Sequence, residues 1–210
     1  MRAVISYAEG DEHKKLAALT WPLMRRYASV CKAVFVPYTE VPKIDRPPAW
    51  KKLVCLAHAL SEFDEVLWLD ADVVVADESD IFEEFPKSKA HALVEHTTDE
   101  GSVPNTGVWL CRRSILPWLS VAAMRDECIH HKWWEQAAIL HLLGYSTANG
   151  KCKHEQETGL FISTHWLDER WNYCSHIKGT VVSFVHPCGA VGEARLESIQ
   201  GVIDACYHTG

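Results

Sequence analysis

No run in the 210 residues approaches the ~18 consecutive apolar positions that a bilayer-spanning helix needs, so no transmembrane segment is expected. Basic residues are also short: 21 Lys and Arg against 28 Asp and Glu leave a net charge of −7. A general nucleic-acid surface needs clustered Lys and Arg to displace counterions, and the balance argues against that partner. An acidic ligand would fit only if it arrived with a cation. Eight cysteines are present, but no two are spaced Cys-x-x-Cys, which speaks against a zinc finger or ribbon. Several lie in apolar runs such as Val54-Cys55-Leu56 and Leu110-Cys111, as buried thiols of a reducing, cytoplasmic compartment do. There is no internal repeat, low-complexity tract or linker, so residues 1–210 read as one domain with a single sizeable core. The opening Met1–Tyr7 is soon interrupted by Glu9, Asp11 and Glu12, and reads as a first strand rather than a signal peptide.

What is present is an alternation of strand and helix signals. Residues 2–7 read as a strand and 11–28 as helix, with Pro22 dividing the latter into two short pieces. A second strand is expected at 33–37, a Pro-rich loop to 49, and a helix at 50–62 with Leu53, Leu56, Ala57 and Leu60 on one face. Glu65–Leu69 is apolar on both faces, the mark of a central strand covered on two sides. Strand, helix, strand, helix, strand implies parallel strands joined by crossovers, with ligands bound beyond their carboxyl ends. Further on, strands are expected at 90–95 and 106–112 with a loop between them, helices at 114–126 and 133–143, a strand at 181–185 and a closing helix at 193–206. Residues 144–180 show no clean period.

Five fragments carry candidate chemistry. Asp70-Ala71-Asp72 ends the apolar third strand. If that segment stays extended, its i and i+2 carboxylates face one hard divalent cation, to which a diphosphate adds oxygens. Asp is also common in solvated turns, but here the chain returns at once to Val73-Val74-Val75. His186, at the end of another strand, could complete the cation's shell, and Gly189 could let the backbone approach a ligand. Taken alone, His186 reads better as a surface histidine before Pro187. Asn105, in Asn-Thr-Gly, offers an amide to a sugar hydroxyl, or serves a loop-to-strand turn. Trp133-Trp134-Glu135-Gln136 could wall a sugar site, although Glu in a first helical turn needs no such reason. Lys52, in Trp50-Lys51-Lys52, could contact a donor or be solvated.

In order, these pieces resemble the GT-A glycosyltransferases, especially the retaining galactosyl-, glucosyl- and xylosyltransferase families numbered 8 and 34. The resemblance spans most of residues 1–190 and includes Ser6-Tyr7-Ala8, Trp50-Lys51-Lys52, Leu69-Asp70-Ala71-Asp72, Asn105-Thr106-Gly107, Glu135-Gln136, Trp171-Asn172 and His186. It implies an α/β, Rossmann-like fold with a mostly parallel central sheet flanked by helices. It further implies transfer of a hexose or pentose from a nucleotide-diphosphate sugar, a UDP-sugar, to a carbohydrate, protein or small-molecule acceptor, with retention. Asp70, Asp72 and His186 would then hold Mn²⁺ or Mg²⁺. Ser6, Tyr7, Lys52, Asp70, Asn105 and Gly189 would bind the donor, and Gln136 or Glu135 would be catalytic. Pro187 and Cys188 depart from the usual continuation after the histidine, and Glu135 stands where Asp is commoner. Two rivals also use the Asp pair: a haloacid-dehalogenase-like phosphatase with Asp70 as nucleophile, and a nucleotide-sugar- or carbohydrate-binding module without turnover.

Overall fold

The computed structural model describes residues 1–174, 182–188 and 191–207. The elements, in chain order, are β1 (Arg2–Tyr7), α1 (Gly10–Val30), β2 (Val34–Tyr38), α2 (Lys51–Glu62), β3 (Glu65–Leu69) and β4 (Val74–Val75). They continue with β5 (His91–Thr98), β6 (Gly101–Arg112), α3 (Leu116–Ala123), α4 (Trp134–Leu142), β7 (Tyr145–Ser146) and β8 (Lys153–His154). The last are α5 (Gly159–Ile162), β9 (Thr164–Trp166), β10 (Phe184–Val185) and α6 (Gly192–Tyr207).

The main sheet has the order β2-β1-β3-β6-β5-β9. Pairing is parallel for β2, β1 and β3 and for β5 with β9, and antiparallel on both sides of β6. β6 is therefore the one reversed strand of this sheet. Side chains alternate strictly between its two covered faces. Ala3, Ile5, Val66, Trp68, Trp109 and Cys111 join Leu53, Leu56, Ala59 and Leu60 of α2 and residues of α3 and α4. Val4, Leu67, Leu69, Val108 and Leu110 face Met24, Tyr27 and Ala28 of α1 instead. Helix α6 then packs on α1 through Leu16, Ile199 and Ile203.

Two expectations need correction. Pro22 does not divide α1, which runs unbroken over 21 residues. Buried Leu16, Ala17 and Thr20 before it pack on Val74, Ala71 and α6, while Met24, Tyr27 and Ala28 after it pin the second half to the sheet, and that packing outweighs the lost backbone bond. The loop expected between 95 and 106 is a tight hairpin, with Thr98 opposite Gly101 and both strands longer than their apolar cores. Residues 144–174, for which the sequence predicts no element, contain the β7–β8 hairpin, α5 and the edge strand β9, each too short to show a period.

One buried network makes stability acid-sensitive. The Trp109 indole can only donate, and its Nε1 lies 3.0 Å from His91 Nδ1. That fixes the proton of His91 on Nε2, facing Thr164 Oγ1 at 2.8 Å, and the Thr164 hydroxyl donates to the Leu160 carbonyl at 2.8 Å. Burial pushes the imidazole down to about 3. Below the ordinary histidine value of about 6.5, the unfolded chain takes up a proton that the folded chain refuses, so stability falls as pH drops. By pH 4 the expected loss from this group is about 3 kcal/mol. Urea unfolding from pH 7 to pH 4 checks it: His91→Gln should show a shallower decline than the parent.

Candidate active site

β3 ends at Leu69, and the chain turns at once. The Val73 N–H donates to the Asp70 carbonyl at 3.0 Å, so Asp70–Val73 is a hydrogen-bonded turn and not the extended segment expected from the i, i+2 spacing. The two carboxylates converge by that turn rather than by strand alternation. It is not a solvated turn, because Asp72 is buried. Thr20 of α1 holds it from below, its hydroxyl reaching the Ala71 carbonyl at 2.7 Å.

The reversed strand β6 brings the rest of one wall. Leu69 pairs with Val108, so Asn105–Gly107 run past the end of β3, and the Asp70 N–H donates to the Gly107 carbonyl at 2.8 Å. Antiparallel pairing of β10 with β4, Val185 opposite Val74, sets His186 beside Asp72. His186 Nε2 then lies 3.3 Å from Asp72 Oδ1 and 3.9 Å from Asp70 Oδ2. One ligand atom from each of Asp70, Asp72 and His186 falls within 4.8 Å of the others.

The tautomer of His186 follows from a backbone group. The Gly107 N–H donates to Asn105 Oδ1 at 2.7 Å, so that atom must be the oxygen. The atom of Asn172 that meets it at 2.9 Å must then be Nδ2, which leaves Asn172 Oδ1 to accept from His186 Nδ1 at 3.1 Å. A neutral His186 therefore turns the lone pair of Nε2 toward the carboxylates. Such a partner on the far ring nitrogen is how ligating histidines are oriented. Asn105 thus spends its oxygen inside the wall.

The carboxylates are oriented as well. Asp70 Oδ1 accepts from Trp68 Nε1 at 2.6 Å and from Lys52 Nζ at 3.1 Å, leaving Oδ2 on the His186 side. Asp72 Oδ2 meets Arg195 of α6 at 3.4 Å. Burial pushes the Asp72 carboxyl up, but His186 and Arg195 outweigh it and hold it at about 2. Burial lowers His186, while Cys188 and the nearby Asp72 carboxylate raise it well above the ordinary histidine value.

Lys52 lies beneath this floor. It is buried, with Nζ 2.9 Å from Glu135 Oε1 and 3.1 Å from both the carbonyl and the hydroxyl of Thr106. Burial alone would lower its pKa, but Asp70 and Glu135 raise it. Glu135 is thereby placed in a buried ion cluster. Gln136, one residue on, accepts from the Thr106 N–H through Oε1 at 3.2 Å, which leaves its amide NH₂ turned away from that bond. Ser6 is buried at the end of β1, its hydroxyl without a hydrogen-bond partner among the described residues. Tyr7 lies under the Lys51 ammonium at 5.7 Å and donates to Glu9. Gly189 lies outside the described residues.

Thr20, Trp68, Thr106, Asn172 and Arg195 are the site residues that motif reading did not assign a role. Asn172 had a signal in Trp171-Asn172. Arg195 had none, because nothing in a closing helix marks which residue faces a turn 123 positions earlier.

Gly107 is required by close approach. A Cβ there would come 2.2 Å from His186 Cε1, 2.5 Å from Nδ1 and 2.9 Å from Asn105 Oδ1. Gly107→Ala should displace the ring and cost about 1–3 kcal/mol. A urea melt would measure it, and unchanged stability would count against the placement of His186.

No protein-family model matches the chain, and no curated protein matches it. Solved structures do. A glycosyltransferase involved in the glycosylation of the major capsid of PBCV-1 superposes with a TM-score of 0.68 at 20% identity, covering 96% of this chain and 98% of its own. The galactosyltransferase LgtC, solved with donor and acceptor sugar analogs, gives 0.61 at 12% identity, covering 98% of this chain and 96% of its own. GlyE of Streptococcus pneumoniae gives 0.54 at 13% identity over 96% of this chain and 60% of the other. The chain therefore has the GT-A glycosyltransferase fold: α/β, with a mostly parallel central sheet between helices.

Proposed function

We propose that this chain transfers a hexose or pentose from a nucleotide-diphosphate sugar, a UDP-sugar, to a carbohydrate, protein or small-molecule acceptor. The reading rests on one observation: two carboxylate oxygens and an imidazole lone pair converge where β3 stops, in a fold shared with solved glycosyltransferases. Asp70, Asp72 and His186 would hold the cation. The donor set fits one, since it offers hard oxygens plus a nitrogen whose tautomer is already set. A single imidazole among oxygens favours Mn²⁺ over Mg²⁺. When bound, the cation supplies charge neutralisation for the leaving diphosphate.

The chain's own residues do the rest. Trp68 and Lys52 fix Asp70, Asn172 fixes His186, and Thr20 fixes the turn between the two aspartates. Gln136 is the catalytic candidate: its Oε1, held by the Thr106 N–H at 3.2 Å, is the electron-rich end that would steady an oxocarbenium-like state, while its NH₂ would donate to a hydroxyl of the donor sugar. Glu135, committed to Lys52, acts as a positioning residue.

The test is a thermal-shift panel of nucleoside diphosphates and nucleotide sugars with and without Mn²⁺, followed by a donor-hydrolysis assay. Ligands that bind the folded state raise the apparent Tm by mass action. A shift that needs Mn²⁺ and favours one nucleotide, with slow donor hydrolysis, is expected. A shift that persists in EDTA would remove the cation role. Binding without turnover would leave a donor-binding module, and phosphate release through an aspartyl-phosphate on Asp70 would indicate a phosphatase.

A further inference from the structure

We infer that Cys174 and Cys188 form a peroxide-oxidisable thiol pair that closes to an intramolecular disulfide. Their sulfurs are 2.7 Å apart, inside van der Waals contact and about 0.7 Å beyond the bonded S–S length. Among the described residues no other two cysteine sulfurs come into contact. Cys31, Cys55, Cys111, Cys128 and Cys152 are buried, each without a second sulfur in contact, whereas Cys174 is half-buried and Cys188 exposed.

The backbone already holds the two arms together. The Tyr173 N–H donates to the Phe184 carbonyl, and the His186 N–H to the Tyr173 carbonyl, each at 2.9 Å. Cys174 and Cys188 follow these bonds by one or two residues, so closure needs side-chain rotation and little else. A base stands by: His96 Nε2 lies 3.4 Å from Cys174 Sγ.

The chemistry balances with hydrogen peroxide as oxidant. The Cys174 thiol passes its proton to His96, and the sulfur attacks one peroxide oxygen. The O–O bond breaks, and the departing hydroxide takes the proton back from His96 as water, leaving a sulfenic acid on Cys174. Cys188 sulfur then attacks the Cys174 sulfur. The S–O bond breaks, the S–S bond forms, and the Cys188 proton leaves with the hydroxide as a second water. Two thiols and one peroxide give one disulfide and two waters.

The pair sits two residues from His186 on one arm and two from Asn172 on the other. Its oxidation stands whether or not the cation reading of His186 holds.

Peptide mapping of the full chain tests it. Protein freed of reductant, treated with hydrogen peroxide, alkylated without reduction and digested should lose two hydrogens per chain. It should yield one linked pair of peptides carrying Cys174 and Cys188, released by dithiothreitol. Cys188→Ser should lose the link, and Cys206→Ser should keep it. A sulfinic acid on Cys174 with no link, or a link through Cys206 or between chains, would overturn the inference.

Discussion

Asp72→Asn is expected to lower kcat for sugar transfer about a thousandfold and to abolish Mn²⁺-dependent stabilisation by nucleotide, while the fold survives. The substitution keeps the shape of the side chain. It removes one negative charge and puts an NH₂ in place of an oxygen that faces either His186 at 3.3 Å or Arg195 at 3.4 Å. An amide nitrogen cannot ligate a hard cation, and one that turns toward Nε2 uses the lone pair a metal would need. A lost electrostatic contact to a developing oxyanion is worth about 10²–10³ in rate, and a thousandfold corresponds to about 4 kcal/mol. The checks are initial rates of nucleotide release and the Mn²⁺ thermal shift, with circular dichroism for the fold. Should the variant keep parental, EDTA-sensitive rates, Asp72 is not a cation ligand and the proposed donor site is misplaced.

Lys52→Met is expected to destabilise the protein by about 3–5 kcal/mol, because removing one partner of a buried ion cluster leaves the others uncompensated. For a chain of this size that is a fall in Tm of roughly 10 °C. Methionine matches the length of lysine but offers nothing to the carboxylates of Glu135 and Asp70, 2.9 and 3.1 Å from Nζ. The sign with pH is definite. The folded pKa of Lys52 is raised, so its contribution is complete below the unfolded value of about 10.4 and is lost only as pH rises through the folded one. The deficit of the variant should therefore persist at pH 9, and it should shrink toward acid pH as Glu135, raised by burial and no longer lowered by Lys52, takes up a proton. Adding Glu135→Gln should recover part of the loss, and a double-mutant cycle would give the coupling. Lys52→Arg is not a rescue, since a guanidinium cannot occupy a point among four oxygens. A loss below about 1 kcal/mol would mean that the cluster is solvated.

Much of this architecture was legible from the sequence because hydrophobic periodicity reports what each element buries. Glu65–Leu69 is apolar on both faces and is indeed central, and β1, α2 and α4 fall within two residues of their expected limits. The reversed direction of β6 was not legible, because an apolar run carries no arrow. That direction is what places Asn105–Gly107 beside Asp70. The role of Lys52 was obscured for a similar reason: a Lys pair at a helix start looks solvated, and only the ion pairs show that Lys51 meets Glu9 while Lys52 is enclosed with Glu135. Asn105 looked like a group for a sugar hydroxyl, yet its oxygen is taken by Gly107 and Asn172. Residue type announces that an amide is available, but not which contact claims it first.

A peptide N–H cannot be turned round, and the order of amides between Gly107 and His186 starts from one. Every group along it therefore has one permitted face, like a row of one-way valves. Conversion of Asn172 to aspartate, a change of almost no volume, would set oxygen against oxygen at Asn105 with no flip able to relieve both ends. Loss of a single amide nitrogen by slow hydrolysis would thus be felt at the imidazole one hydrogen bond away. For this protein, deamidation far from solvent would be a more damaging form of ageing than many larger changes at its surface.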